Sequence, residues 1–343
     1  MTNKLASIQK IHSIQAHPNP EVLRLEIGKV HEWPVVIPKG QFKNDDLVVF
    51  IEIDSIVPAT ETFKFMERQK YRIWNARFKG APSSGLVQPL SILPERTAFD
   101  SDGNERNIIY TLGDDVSEIL NITKYEKPET HQNNGETKGG YPSALISISD
   151  ELNLLSYPSA LLELDGKEVV ITQKMDGSST TFIFNNNEFD ACSRRLKLVE
   201  NQGFPYQMVN QYNLKSLMSL NAKNIAIQAE TIGIGMNGNR MGLTDRQIRV
   251  FRAKNLDTRM LYTWDELVDL CNLLDIPTVP LIDRFIFDKN IHTVEYFREL
   301  SNAQKYQNNL PGEGIVLSPV VSFYSLTLGK EFSIKLINQD CKQ

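Results

Sequence analysis

The chain has little cysteine. Its three cysteines, Cys192, Cys271 and Cys341, lie far apart and form no C-x-x-C pair. That excludes a disulfide framework and a cysteine-based zinc site, and it points to a reducing, cytoplasmic setting. Histidine is scarce too. His12, His17, His31, His131 and His292 show no metal-ligand spacing, so scattered surface or core roles are expected of them. No apolar run is long enough to cross a bilayer, and no leader pattern opens the sequence. No membrane partner is expected. Positive charge is not in excess either: the net charge is −5, which on average speaks against a nucleic-acid partner.

The rest is a globular composition. Of 343 residues, 41% are hydrophobic and 23% charged, which leaves room for two ordinary domains. The charge is uneven. Residues 63–79 carry Lys64, Arg68, Lys70, Arg72, Arg77 and Lys79 against Glu67 alone. Phe63, Phe65, Tyr71, Trp74 and Phe78 are interleaved with them, and core packing is expected for most of these rings. A second basic stretch, residues 240–259, holds six cations against Asp245 and Asp257. Two basic stretches in an acidic chain imply two local anion-facing surfaces.

Residues 1–123 read as mostly β, with strands predicted at Leu25–Val30, Val35–Ile37 and Leu47–Ile53 between turn residues. This is the pattern of a small barrel. Residues 124–140 have almost no apolar side chain and read as a linker or exposed loop. A long insertion within one domain is the alternative. Residues 141–343 read as α+β. Strands are predicted at Val169–Thr172, Thr180–Phe184, Ile225–Glu230, Arg249–Phe251, Gly314–Leu317 and Phe332–Ile337. Helical patterns cover Met208–Leu220 and Trp264–Leu274, the latter opened by a capping-box spacing from Thr263 to Glu266.

The most informative segment is Lys174-Met175-Asp176-Gly177, set between two β-branched runs. A lysine so placed can lose its proton by desolvation and become a nucleophile. The bland alternative is a hairpin with a solvated lysine. Five further segments follow in order: Ser193-Arg194-Arg195, Gln228-Ala229-Glu230, Arg249-Val250-Phe251, Glu313-Gly314-Ile315-Val316-Leu317 and Ser333-Ile334-Lys335-Leu336-Ile337. An ordered set is far more specific than any one member.

The set resembles the covalent nucleotidyltransferases: DNA ligases, RNA ligases and mRNA capping enzymes. It is most similar to the fifth RNA ligase family, in which an OB-type domain precedes the ligase domain. The segment from His17-Pro18-Asn19-Pro20 to Leu25 resembles the start of OB-type nucleic-acid-binding domains. The implied fold is α+β: an OB-like barrel, then an ATP-grasp-like domain of antiparallel sheets with flanking helices. Only eight residues (343 minus 335) follow Lys335, so the N-terminal barrel is expected to replace the C-terminal OB domain of DNA ligases and capping enzymes.

The resemblance also implies roles. Lys174 would attack the α-phosphate of ATP and carry AMP covalently. Lys335 would face that phosphate from the other side. Arg194, with Arg195 as rival, would grip phosphate or ribose. Asp176, Glu230 and Glu313 would hold Mg²⁺ or Mn²⁺ largely through water. Gly177, Ile248 and Phe251 complete the implied nucleotide site. Ile248 falls where related ligases carry a ring over adenine, so the base is held by aliphatic groups or by another aromatic. Ser333 stands where many ligases have a first lysine, and Lys330 is a candidate substitute. Lys64, Arg68, Lys70, Arg72, Arg77, Lys79, Asn239 and Arg240 would meet nucleic acid. The implied activity is ATP-dependent sealing of 3′-OH/5′-phosphate nicks in duplex RNA or RNA-containing duplex, by a monomer. A DNA ligase, a GTP-using capping enzyme and a non-catalytic nucleic-acid-binding protein remain as alternatives.

Overall fold

The computed structural model describes residues 4–99, 105–125 and 137–341. The chain divides into two compact units, residues 1–131 and 132–343.

The first unit is a curled antiparallel sheet, an OB-like half-barrel. Its strands lie in the order Trp33–Pro38, Leu25–Val30, Ala6–Ala16, Leu47–Ile51, Leu86–Pro89. The 11-residue strand Ala6–Ala16 makes the curl. Its first half pairs with Leu47–Ile51 and its second half with Leu25–Val30, with a bulge between Ile11 and Ser13. A bulge bends the strand and lets it change partners. Ala6, Ile8, Val49, Ile51, Val57 and Phe63 fill the inside.

Core packing fails for three of the five interleaved rings. Phe63 is 2% exposed and Tyr71 packs beside it, but Phe65, Trp74 and Phe78 are 55%, 39% and 44% exposed. The short helix Glu61–Gln69 buries only Phe63. Phe78 lies on a two-stranded hairpin, Asn75–Phe78 with Ala81–Ser84, and Trp74 enters it. A hairpin has only one face to turn inward, so spacing alone could not place these rings.

The second unit has two main sheets. The six-stranded sheet runs Thr137–Gly140, Leu196–Leu198, Glu188–Cys192, Ser178–Asn185, Ile225–Gly233, Arg246–Asn255. The five-stranded sheet runs Leu152–Asn153, Ile334–Ile337, Gly314–Pro319, Glu168–Lys174, Leu281–Ile286. The strands on either side of Lys174-Met175-Asp176-Gly177 therefore belong to different sheets. The segment is a crossing from one sheet to the other, not a hairpin.

Thr137–Gly140 falls in the stretch read as a linker, most of which lies outside the described residues. It forms an exposed edge strand on Leu196–Leu198, which needs backbone pairing and no apolar side chain. The helical pattern over Met208–Leu220 is two helices, Gly203–Gln211 and Leu214–Asn221, broken at Asn213 in the left-handed region (φ 49°). Tyr206, Met208, Val209, Leu214 and Met218 from this pair pack with Phe182, Phe184, Ile225 and Ile227 of the six-stranded sheet. The capping box at Thr263 and Glu266 opens helix Trp264–Leu273. A further helix, Val294–Asn302, had no counterpart in the sequence reading; its Ser301 hydroxyl donates to the Leu336 carbonyl at 2.9 Å. Among the described residues no helix is long and apolar enough to cross a membrane.

Candidate active site

Sheet register brings the lysines and one acid together. Lys174 is paired with Gly314, Thr172 with Val316, and Val316 with Lys335. Side chains alternate along a strand, so Lys174, Thr172, Val316 and Lys335 share one face. Glu313 immediately precedes Gly314, and its carboxylate accepts a hydrogen bond and ion pair from Lys174 Nζ. The Glu313 backbone N–H donates to the Tyr306 hydroxyl at 3.0 Å, which anchors the turn.

Two glycines make this approach possible. A Cβ on Gly177 would come within 2.2 Å of the Thr231 carbonyl oxygen. Gly314, at φ +146°, would bring a Cβ within 2.1 Å of the Leu336 carbonyl oxygen. The first lets the crossing segment lie on strand Ile225–Gly233; the second lets Gly314–Pro319 lie against the strand bearing Lys335.

Glu230 comes from the six-stranded sheet, paired with Ser179 and Arg249. Burial pushes its carboxyl up to about 8, against the pull of Lys174 and with help from Glu313 and Glu151. Lys174 behaves differently from the desolvated amine expected of it. Burial lowers its pKa, but Glu313 and Glu230 outweigh burial and hold it above the ordinary lysine value. Lys335 goes the other way: burial and the Lys174 charge lower its pKa, against Asp150, Glu151 and Glu313.

These groups stand beside a pocket whose walls differ in character. Lys174, Glu230, Glu151 and Arg252 supply polar lining; Phe251, Tyr262, Trp264 and Val279 supply apolar lining. Phe251 and Arg252 both line it because of a bulge: Ala229 pairs with Val250 and Gln228 with Arg252, leaving Phe251 as the extra residue. Ile248 does not line it. It is 0% exposed in the core on the other face of the strand, with Val250 and Ala253, so an aliphatic cover from Ile248 is excluded.

The sequence reading missed Glu151, Arg252 and Asn237. Arg252 pairs with Glu151 at 3.5 Å. Burial raises the Glu151 pKa, but Arg252, Lys335 and Lys330 outweigh it and hold the carboxyl below its ordinary value. Asn237 Nδ2 donates to Asp176 Oδ1 at 2.9 Å and to the Gly177 carbonyl at 2.5 Å, clamping the crossing segment. A single asparagine in a glycine-rich stretch gives no sequence signal for that role.

The remaining site candidates lie as follows. Arg194 pairs with Asp150 at 3.4 Å on the turn between Glu188–Cys192 and Leu196–Leu198. Lys330 Nζ donates to the Asp150 carbonyl. Ser333 is buried, with its hydroxyl 3.3 Å from Ser318 Oγ. Asn239 holds its own loop, donating to the Leu243 carbonyl at 2.8 Å and accepting from the Leu243 N–H at 3.1 Å. Arg240 Nη1 lies 2.6 Å from Cys341 Sγ. In the first unit, Arg72 is bound to Asp54 at 3.2 Å and stacks 3.4 Å over the Tyr125 ring; Lys64 pairs with Glu61. Arg68, Lys70, Arg77 and Lys79 are exposed.

Among the described residues no three of His, Cys, Asp and Glu converge to chelate an ion directly. Glu313 Oε2 is buried with no hydrogen-bond partner. One free carboxylate oxygen beside Glu230 and Asp176 fits a hard cation held through its waters.

Residues 167–337 match the RNA ligase family model, and residues 5–90 match an OB-fold domain. The chain belongs to the RNA ligase family. A variant of a Naegleria gruberi RNA ligase solved with AMP and manganese is 27% identical, with a TM-score of 0.82, over 98% of this chain and 97% of that one. A variant of that ligase with ATP and manganese gives the same four figures. Its pyrophosphate complex gives a TM-score of 0.81 at 27% identity, with coverage of 98% and 97%. No curated protein matches the chain. This ligase is thus an OB-like half-barrel followed by an RNA ligase domain.

Proposed function

We propose that this RNA ligase uses ATP to seal 3′-OH/5′-phosphate nicks in duplex RNA or RNA-containing duplex through a lysyl-AMP intermediate. The observation that carries the reading is Lys174 at the sheet crossing, facing Glu313 and Glu230, with Lys335 on its own sheet face. The ATP and AMP complexes of the Naegleria ligase support it.

In the first step the Lys174 Nζ lone pair forms a bond to the α-phosphorus of ATP, and pyrophosphate leaves. Nζ must first lose a proton, which its contact with Glu313 opposes. Lys335 offsets charge on the α-phosphoryl oxygens as it develops. Phe251 and Trp264 line the apolar wall on which adenine would rest. In the second step a 5′-phosphate oxygen takes the AMP from Nζ and makes a 5′–5′ pyrophosphate linkage. In the third the 3′-OH attacks that 5′-phosphate and AMP leaves. Asp176, Glu230 and Glu313 would hold Mg²⁺ or Mn²⁺, whose positive charge neutralises the carboxylates that keep Lys174 protonated.

The test is a nicked duplex with a labelled 5′-phosphate, RNA at the 3′-OH side, and either ATP or GTP. Sealing with ATP, through a transient AMP-capped strand, is expected. Sealing with GTP alone, or a protein that labels itself but never caps the 5′ end, would overturn the reading. The chain is proposed to act as a monomer, which light scattering during the same assay checks.

A further inference from the structure

The exposed rings of the first unit lie among cations. Phe65 and Arg68 are exposed on helix Glu61–Gln69, Trp74 stands before the hairpin, and Arg77, Phe78 and Lys79 form its outer end. Lys79 and Gly80, at φ 50° and 94°, form the two-residue turn. Arg68, Lys70 and Lys79 make no ion pair among the described residues.

The hairpin is held in place. His17 is buried, and its Nδ1 accepts the Asn19 N–H at 3.1 Å. Its proton therefore sits on Nε2, which donates to the Phe78 carbonyl at 2.9 Å. On the opposite strand the Ser83 hydroxyl accepts the Val36 N–H at 3.0 Å. A ring left exposed on a hairpin fixed at both strands gains nothing for the fold.

We propose that this face, with Trp74 and Phe78 as its stacking rings, binds an unpaired RNA strand. A base offers its face to a ring only when it is unstacked from a helix, and cations beside the rings meet the phosphates. A surface built for duplex phosphates alone needs the cations and not the rings. The inference rests on the RNA ligase reading. It extends the substrate from a bare nicked duplex to one carrying an unpaired strand or overhang.

The experiment uses the full chain and a fluorescent single-stranded RNA, with the same RNA in a blunt duplex as the second probe. Binding is followed by anisotropy without ATP. Phe78→Ala and Trp74→Ala are each expected to weaken single-strand binding by roughly fivefold or more, the lower end for one stacked base. Duplex binding is expected to change by less than twofold. Phe78→Tyr keeps the ring and is expected to restore binding. Lys79→Ala is expected to weaken both probes and to lower the salt slope by about one. Single-strand binding unchanged in both ring variants would overturn the proposal, as would equal loss for both probes. Self-labelling of the unmutated chain with ATP is measured in parallel. Its absence would defeat the nucleotide-transfer reading without altering the binding result.

Discussion

Lys174 and Lys335 share one face of one sheet, and their surroundings drive their protons in opposite directions. Both are sheltered from water, which disfavours the ammonium form of each. The difference lies in the carboxylates. Glu313 is bonded to Lys174 Nζ and Glu230 faces it from the other sheet. Around Lys335 the acids Asp150, Glu151 and Glu313 act too weakly to offset burial and the Lys174 charge. Burial alone therefore does not make a nucleophile here. The acids that surround Lys174 oppose the loss of its proton, and a bound cation that offsets their charge would favour it.

Substitutions at three positions break or sharpen this comparison. Lys335→Ala should have the largest effect, slowing self-adenylylation by about 100–1000-fold, as for loss of one preorganised charge donor. Lys335→Arg should recover part of the rate. A Lys335→Ala rate within about threefold of the parent would remove Lys335 from the reaction.

Glu313→Gln should act on Lys174 most directly. Removing the carboxylate destabilises the ammonium, lowers the Lys174 pKa and leaves more neutral amine at any given pH. In metal-free protein, acylation of Lys174 by an amine reagent at fixed pH should rise about tenfold for each unit the pKa falls. Mass spectrometry of the digest reads both lysines together, and Lys335 should respond less. Unchanged Lys174 labelling would show that Glu313 does not hold its proton.

The smallest effect is on stability. Glu230 keeps its proton up to about 8 when folded, against an ordinary value of 4.5. Between those values the folded chain binds more protons than the unfolded one. This contribution is therefore complete below about 4.5 and is lost as pH rises through about 8. Without metal or nucleotide, the melting temperature of the parent should fall further than that of Glu230→Gln across this window. Parallel curves would contradict the raised value.

Much of the ligase domain was legible in the residue order. Lys174, Glu230 and Lys335 come from three separate strands and Glu313 from the turn before a fourth, and the structure gathers all four. Their types are dictated by phosphoryl-transfer chemistry, so a linear pattern can carry them. Arg252 and Phe251 were harder, because their shared wall depends on a bulge that breaks strict alternation. The resemblance puts Ile248 where related ligases carry a ring over adenine, but in the fold it points into the core. Glu151 and Asn237 act through contacts distant in sequence, with Arg252 and with Asp176, and neither sits in a recognisable spacing. In the first unit the basic stretch was visible, but the exposure of Phe65, Trp74 and Phe78 depends on which face each element turns inward.

The most direct test of the central claim is covalent labelling. The purified chain is incubated with α-³²P-labelled ATP and Mg²⁺ or Mn²⁺ and run on a denaturing gel beside Lys174→Ala. A label that survives denaturation in the parent and is absent from the variant is the result predicted. A label retained in folded Lys174→Ala, or none in folded parent protein free of pre-bound AMP, would contradict Lys174 as the nucleophile.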